Sequence, residues 1–211
     1  MITVVGFGEV PRHGQAVFEM HRLRHRVFKE RLGWEVTSSG GLEIDEYDAA
    51  KPVYLLYRER EDGPVLGCVR LLPTTGPYML ADTFPLLLGG RPAPRGFHAW
   101  EASRFALDGD AGRVQGRKVA RGTAELVAAV HEFALAKGLS EIVAVVDVRM
   151  ERILRLAGWP IERYRQPVQV GVTMALAGSL PVSEEGLDRI RRTNGIDGVL
   201  GIEPAERKVA A

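Results

Sequence analysis

The run Glu141-Ile142-Val143-Ala144-Val145-Val146 constrains the fold more than any other stretch of the chain. It is nearly continuous in apolar, mostly β-branched residues and lacks the alternation of a strand with one wet face. It therefore reads as a strand covered on both sides. Such a strand needs a layer on each face, and the neighbouring sequence offers helices to supply them. Residues 114–137 form a long amphipathic pattern stopped by Gly138, and residues 149–157 a shorter one stopped by Gly158.

The rest of the chain extends this pattern. Residues 2–5 alternate weakly and suit a short strand. Residues 14–32 read as a helix, with Val17, Met20, Leu23, Val27 and Phe28 at three- and four-residue steps before Gly33. Residues 35–51, acidic and polar with Gly40-Gly41, read as a loop. Residues 53–60 and 65–72 flank the turn sequence Glu61-Asp62-Gly63-Pro64, so they predict an antiparallel hairpin that Pro73 ends. A short helix over 81–88 precedes a Gly-, Pro- and Arg-rich loop over 89–96. Residues 99–107 read as a strand, 108–112 as a turn, 168–176 as a strand and 183–192 as a helix with Ser183 at its N-cap. The order is helix, strands, then strand-helix-strand-helix-strand, without repeats. It predicts an α/β fold: one α/β/α sandwich with a mixed central sheet, and a single domain over 1–211.

Several function classes are excluded at this level. Lys plus Arg (28) balances Asp plus Glu (27), so the chain carries no global field for nucleic acid. Cys68 is alone, which rules out an intramolecular disulfide and fits a reducing compartment. No basic region followed by a long apolar run opens the sequence, and no apolar run approaches the roughly 18 residues of a membrane span. A cytoplasmic protein that binds neither nucleic acid nor membrane is the expectation.

Four clusters carry candidate chemistry. His21, Arg22, Arg24, His25, Arg26 and Lys29 sit on the first helix and read mostly as a solvated basic face. Arg24 is different: it shares a helix face with Phe28, and an arginine at the edge of an apolar stripe calls for a carboxylate. Glu43, Asp45, Glu46 and Asp48 form either an exposed acidic loop or a site for cations. Their spacing does not fit an EF-hand, and a cationic ligand or the arginine cluster fits better. Arg70 lies inside an apolar strand and needs an anionic partner or a water path. In the fourth cluster, strand alternation puts Glu101, Ser103 and Phe105 on one face and Trp100, Ala102 and Arg104 on the other, unless a β-bulge changes the split. Together, arginines and carboxylates beside aromatic residues suit an enclosed site for a zwitterionic ligand.

Arg24-x-x-x-Phe28, Trp34, Asp45-x-x-Asp48, Arg70-Leu71-Leu72-Pro73-Thr74, Phe84 and Glu101-x-Ser103-Arg104-Phe105 closely resemble, in order and spacing, the signature of the acyl-homoserine lactone synthase (autoinducer synthase) family. Beyond residue 113 the likeness rests on element order, Gly158-Trp159 and Leu180-Pro181-Val182. The family is similar in fold to the GCN5-related N-acetyltransferases. The resemblance implies a quorum-sensing signal made from S-adenosylmethionine and a fatty-acyl thioester. Adenosylmethionine would be a consumed substrate, with neither cofactor nor metal required.

The resemblance also implies roles for matching positions. Arg24, Phe28, Trp34, Asp45, Asp48, Phe84 and Arg104 would hold adenosylmethionine. Glu101 would act as general base, with Arg70 and Arg104 in the catalytic ion-pair network. Ser103, Phe105, Val145, Val146, Met150 and Leu154 would border the acyl chain, and backbone N–H groups at a bulge near Phe105-Ala106 would bind the oxyanion. The acyl donor would be acyl carrier protein, or else acyl-coenzyme A. An acidic carrier would meet Arg113, Arg117, Lys118, Arg121, Arg149, Arg152 and Arg155. The glycine-poor run Arg113-Val114-Gln115-Gly116-Arg117-Lys118 departs from the acetyltransferases' pyrophosphate loop and weighs against coenzyme A. Val145-Val146-Asp147 stands where the family often carries a threonine linked to 3-oxo donors, so no 3-oxo preference is implied. The alternative on the same fold is a generic acetyl-coenzyme A N-acetyltransferase.

Overall fold

The computed structural model describes residues 1–109, 111, 116 and 118–200. Its strands are β1 (Ile2–Gly6), β2 (Ser38–Ser39), β3 (Leu42–Glu43), β4 (Val53–Tyr57), β5 (Gly67–Pro73), β6 (Ala99–Leu107), β7 (Glu141–Asp147), β8 (Glu162–Arg163), β9 (Val168–Val170) and β10 (Thr173–Pro181). Its α-helices are α1 (Gly14–Arg24), α2 (Met79–Asp82), α3 (Arg121–Ala136), α4 (Val148–Leu156) and α5 (Glu184–Asn194). The main sheet runs β1-β4-β5-β6-β7-β10-β8, with β9 added on β10. Every pairing is antiparallel except β6 with β7. The expected mixed sheet is therefore found. One face packs against α3, α4 and α5, centred on Leu55, Leu71, Phe133, Ile142 and Trp159. The other packs against α1 and the helical turn that follows it, around Met20, Leu23 and Phe28, and against α2, around Leu80 and Val143.

Local chemistry explains the element ends. Ser183 accepts a hydrogen bond from the Gly186 N–H at 3.0 Å and starts α5. Asp147 does the same for the Met150 N–H at 2.6 Å and starts α4 directly from β7. The first helix runs on past Arg24 as a π-helical turn, His25–Arg31, in which Leu32 N–H reaches back five residues to Val27.

Five sequence expectations are corrected. The loop over 35–51 contains the β2–β3 pair and a 3₁₀ turn, Glu46–Ala49, capped by Asp45. The helix expected over 81–88 is split into α2 and the 3₁₀ turn Pro85–Leu88, because Pro85 has no N–H to continue the ladder. The helix expected from 114 begins at Arg121; residues 114, 115 and 117 lie outside the described residues, as do 110 and 112 of the 108–112 turn. The strand expected over 168–176 is a hairpin, since Gly171 takes a left-handed φ of 55° and turns the chain between β9 and β10. The fifth concerns the faces of β6. Cys68 pairs with Ala106 but Arg70 with Ser103, so Arg104 and Phe105 together oppose Val69. Arg104 has φ 53°, the mark of a bulge. The bulge keeps Arg104 on the face of Glu101 and Ser103 and sends Phe105 to the α3 face with Trp100 and Ala102.

The parallel junction positions the site. β6 and β7 pair only from Ala99–Glu141 to Ala102–Ala144. Beyond that point β6 continues along β5, while Val145, Val146 and Asp147 continue along β10. The two strands diverge, and the gap between them opens a passage through the sheet.

Candidate active site

A cavity of about 1330 Å³ fills this gap and extends to both faces of the sheet. Its polar half lies on the α1/α2 side. There three guanidinium groups meet three carboxylates. Arg24 is fully buried and forks onto Asp48 at 2.8 and 3.0 Å, with its Nε on Glu43. Arg70, also fully buried, donates to Asp45 at 2.5 and 3.1 Å, to Asp48 at 2.9 Å and to the Ser103 hydroxyl at 3.1 Å. Arg104 spans Glu43 at 3.0 Å and Asp45 at 2.7 Å. The Tyr54 hydroxyl adds a 2.8 Å bond to Asp48. Burial alone would raise the Asp48 pKa, but Arg24 and Arg70 outweigh it and hold the group well below the usual carboxylate range. Burial would likewise lower Arg24, and Asp48 and Glu43 reverse that.

Glu43, Asp45 and Asp48 are therefore paired with arginines, whereas Glu46 is exposed outside the network, which joins α1, the 43–48 segment, β5 and β6. Glu43 is the residue that sequence reasoning left without a role. It is fully buried and links Arg24 to Arg104. Its signal was membership of the acidic cluster. Tyr54 carried none beyond its place on a strand. Of the other basic residues of the first helix, Arg22, Arg26 and Lys29 are exposed and His25 is half-buried, whereas His21 departs from the solvated face: it is buried, with its Nδ1 2.8 Å from the Glu43 carbonyl oxygen.

Glu101 borders the cavity from β6 and is fully buried. Its two oxygens accept the N–H groups of Met79 at 2.9 Å and Leu80 at 2.7 Å, at the start of α2. Burial pushes its pKa up to about 7, against the opposing pull of those N–H groups and of Arg70 and Arg104. A carboxylate poised there exchanges protons near neutrality, as a general base must.

Aromatic rings close the polar half. Phe28 and Trp34 stack with centroids 5.3 Å apart and planes 15° from parallel, and the Arg104 guanidinium lies 5.5 Å from the Phe28 centroid. Phe84 borders the same space beside Thr83, whose hydroxyl pairs with that of Tyr47 at 2.7 Å. Through the gap the lining turns apolar. Phe105, Val146, Met150 and Leu154 border it on the α3/α4 side, with Ala144 and Val127. Trp159 also forms part of this wall, fixed by its indole bond to the Pro181 carbonyl at 2.8 Å. Val145 borders the cavity from the opposite face of β7, and Ser103 borders it from the polar half. The bulge expected near Phe105-Ala106 sits one residue earlier, at Arg104-Phe105.

Of the basic residues expected to meet a carrier, Lys118 and Arg149 are exposed at the rim of the cavity, and Arg152 and Arg155 are exposed along α4. Arg121 pairs with Glu125 at 2.7 Å. Arg113 and Arg117 lie outside the described residues. No helix among the described residues is long and apolar enough to cross a membrane.

The arrangement is a charge-lined chamber joined to an apolar channel, and the chain that forms it resembles known proteins in sequence and fold. A family model described as autoinducer synthase matches residues 11–190. An acyl-homoserine-lactone synthase of Agrobacterium fabrum (strain C58 / ATCC 33970) is 41% identical over 192 residues, covering 90% of each chain. The solved structure of the AHL synthase LasI matches with a TM-score of 0.78 at 35% identity, over 97% of this chain and 98% of its own. BjaI, a CoA-dependent acyl-homoserine lactone synthase solved with SAM and isopentyl-CoA, matches with a TM-score of 0.83 at 28% identity, over 97% of this chain and 94% of its own. The matched span contains the whole ion-pair network, Glu101 and both walls of the channel, and the chain belongs to the autoinducer synthase family, the acyl-homoserine-lactone synthases.

Proposed function

We propose that this chain, acting as a single synthase domain over residues 1–211, makes an N-acyl-homoserine lactone from S-adenosylmethionine and an acyl thioester. The observation that carries the reading is the continuity of the cavity: a charged chamber holding Glu101 opens through the β6–β7 gap into an apolar channel. A zwitterionic, sulfonium-bearing amino acid suits the chamber, and an alkyl chain suits the channel. Arg24, Asp45, Asp48, Arg70 and Arg104 fix the chamber walls, and Phe28, Trp34 and Phe84 enclose the sulfonium ligand, whose cation is attracted to aromatic faces. Phe105, Val146, Met150 and Leu154 border the acyl chain, with Ser103 and Val145 at the junction on the polar side.

The steps follow from the groups present. The α-ammonium of adenosylmethionine, with an ordinary pKa of about 8, gives a proton to Glu101, directly or through one water. The freed amine attacks the thioester carbonyl, the carbon–sulfur bond breaks, and the carrier leaves as a thiol with a proton. N–H groups at the Arg104-Phe105 bulge lie on the strand that flanks this carbonyl and stabilise its oxyanion, a contribution of about 3 kcal/mol per donor. The carboxylate of the same ligand then displaces the sulfonium from its side-chain carbon. The lactone closes and methylthioadenosine leaves as a neutral thioether, so this step depends on positioning rather than acid catalysis. The donor is acyl carrier protein or acyl-coenzyme A, delivered from the cytoplasm to the rim at Lys118 and Arg149. The test is to incubate the pure chain with adenosylmethionine and a panel of acyl donors. Equal amounts of methylthioadenosine and acyl-homoserine lactone support the assignment. Absence of methylthioadenosine with every donor overturns it.

A further inference from the structure

A single side-chain hydrogen bond joins two distant segments across the chamber. The Trp34 indole N–H donates to the Thr173 hydroxyl at 3.0 Å, between residues 139 positions apart. Trp34 follows the π-helical turn. Thr173 is the first residue of β10, just past the Gly171-Val172 turn. Both segments border the cavity. The flat side of Trp34 rests on Phe28, and its edge is held by Thr173. The hairpin tip contributes little packing of its own: Val172 is 74% exposed, and Met174 also faces outward. The indole has one donor, so this bond is the polar contact it can make with the β9–β10 hairpin.

We infer that Thr173 is a positioning residue for adenosylmethionine: its hydroxyl fixes the Trp34 ring as one wall of the chamber and ties the β9–β10 hairpin to the opposite side. The inference rests on reading the chamber as the adenosylmethionine site. Without the bond the indole is restrained only by apolar packing, including its stack on Phe28, and a ligand must complete its ordering on binding. The cost falls on capture of adenosylmethionine, not on the chemical steps. Valine at this position keeps the β-branched shape that suits the first residue of a strand, so the hairpin is retained.

Four variants test this: Thr173→Val, Thr173→Ser, Trp34→Phe and the Trp34→Phe/Thr173→Val double. Adenosylmethionine affinity is read by titration calorimetry, turnover by methylthioadenosine release, and folding by melting temperature. Thr173→Val is expected to weaken affinity roughly two- to tenfold, the worth of one neutral hydrogen bond, with kcat little changed. Thr173→Ser restores affinity, and the double variant binds no worse than Trp34→Phe, because the bond is already absent. Wild-type affinity in Thr173→Val, or a serine variant as weak as the valine one, overturns the inference alone. A wild-type chain that takes up no adenosylmethionine overturns the functional reading and the inference with it.

Discussion

Replacing Arg70 by alanine should damage the fold as well as the site. Arg70 is fully buried and supplies three hydrogen bonds to Asp45 and Asp48 and one to Ser103. Its loss leaves two guanidinium groups facing three largely buried carboxylates, together with the space of the missing side chain. Breaking a buried ion pair from one side costs about 3–5 kcal/mol. For a chain of this size each kcal/mol is worth roughly 2–4 °C, so the melting temperature should fall by roughly 6–20 °C.

Calorimetric melts at neutral pH measure this directly. Arg70→Lys should lie between, since it keeps the charge but not the fork. The sign with pH follows from Asp48. Its depressed pKa contributes stability above the ordinary carboxylate range, which is lost as pH falls through the depressed value. The gap between wild type and Arg70→Ala should therefore be widest near neutrality and narrow towards about pH 4, where the excess carboxylate can take up a proton. An alanine variant melting within about 2 °C of wild type, less than 1 kcal/mol of damage, would refute the reasoning.

Two further predictions concern the channel and the core. Ala144→Leu adds bulk to the channel wall beside Val146 and Leu154, so the products should shift to shorter acyl chains. Mass spectrometry of lactones from cells expressing the variant checks this, and an unchanged distribution would mean that the acyl group lies elsewhere. His131 is fully buried against Trp159, and burial pushes its pKa down to about 4. It contributes stability, on the order of 3 kcal/mol, that is complete above about pH 6.5 and lost as pH falls through about 4. Denaturant titrations between those values should show stability falling, and His131→Leu should flatten the slope; an equal slope in the variant contradicts the assignment.

Much of the sheet could be read from local pattern because its strands carry strong apolar signals. β6 was expected over the residues it occupies, and β7 differs only by including Asp147. The hairpin β9–β10 was hidden because Val168–Val170 and Thr173 onward are both extended and apolar, and only the left-handed Gly171 separates them. The facing of β6 was hidden for a related reason. A bulge depends on register with β5, which is a property of two strands and not of one, so Phe105 and Arg104 were assigned to exchanged faces. In the site, Arg24 and Arg70 could be singled out because a charge inside an apolar pattern demands a partner. Glu43 and Thr173 were not, because an acid among acids and a threonine at a strand end look ordinary until the partner arrives from a distant segment.

The role of Glu101 can be tested by one comparison: kcat against adenosylmethionine affinity in Glu101→Gln. Glutamine keeps the shape but has one acceptor oxygen for the two N–H groups of Met79 and Leu80, so a melting curve is run alongside. If Glu101 takes the α-ammonium proton, kcat should fall on the order of 10²–10⁴-fold while affinity moves only a few-fold. The wild-type limb of activity that declines below about pH 7 should also disappear in the variant. Turnover and binding lost in equal measure, or turnover retained, would contradict the base assignment.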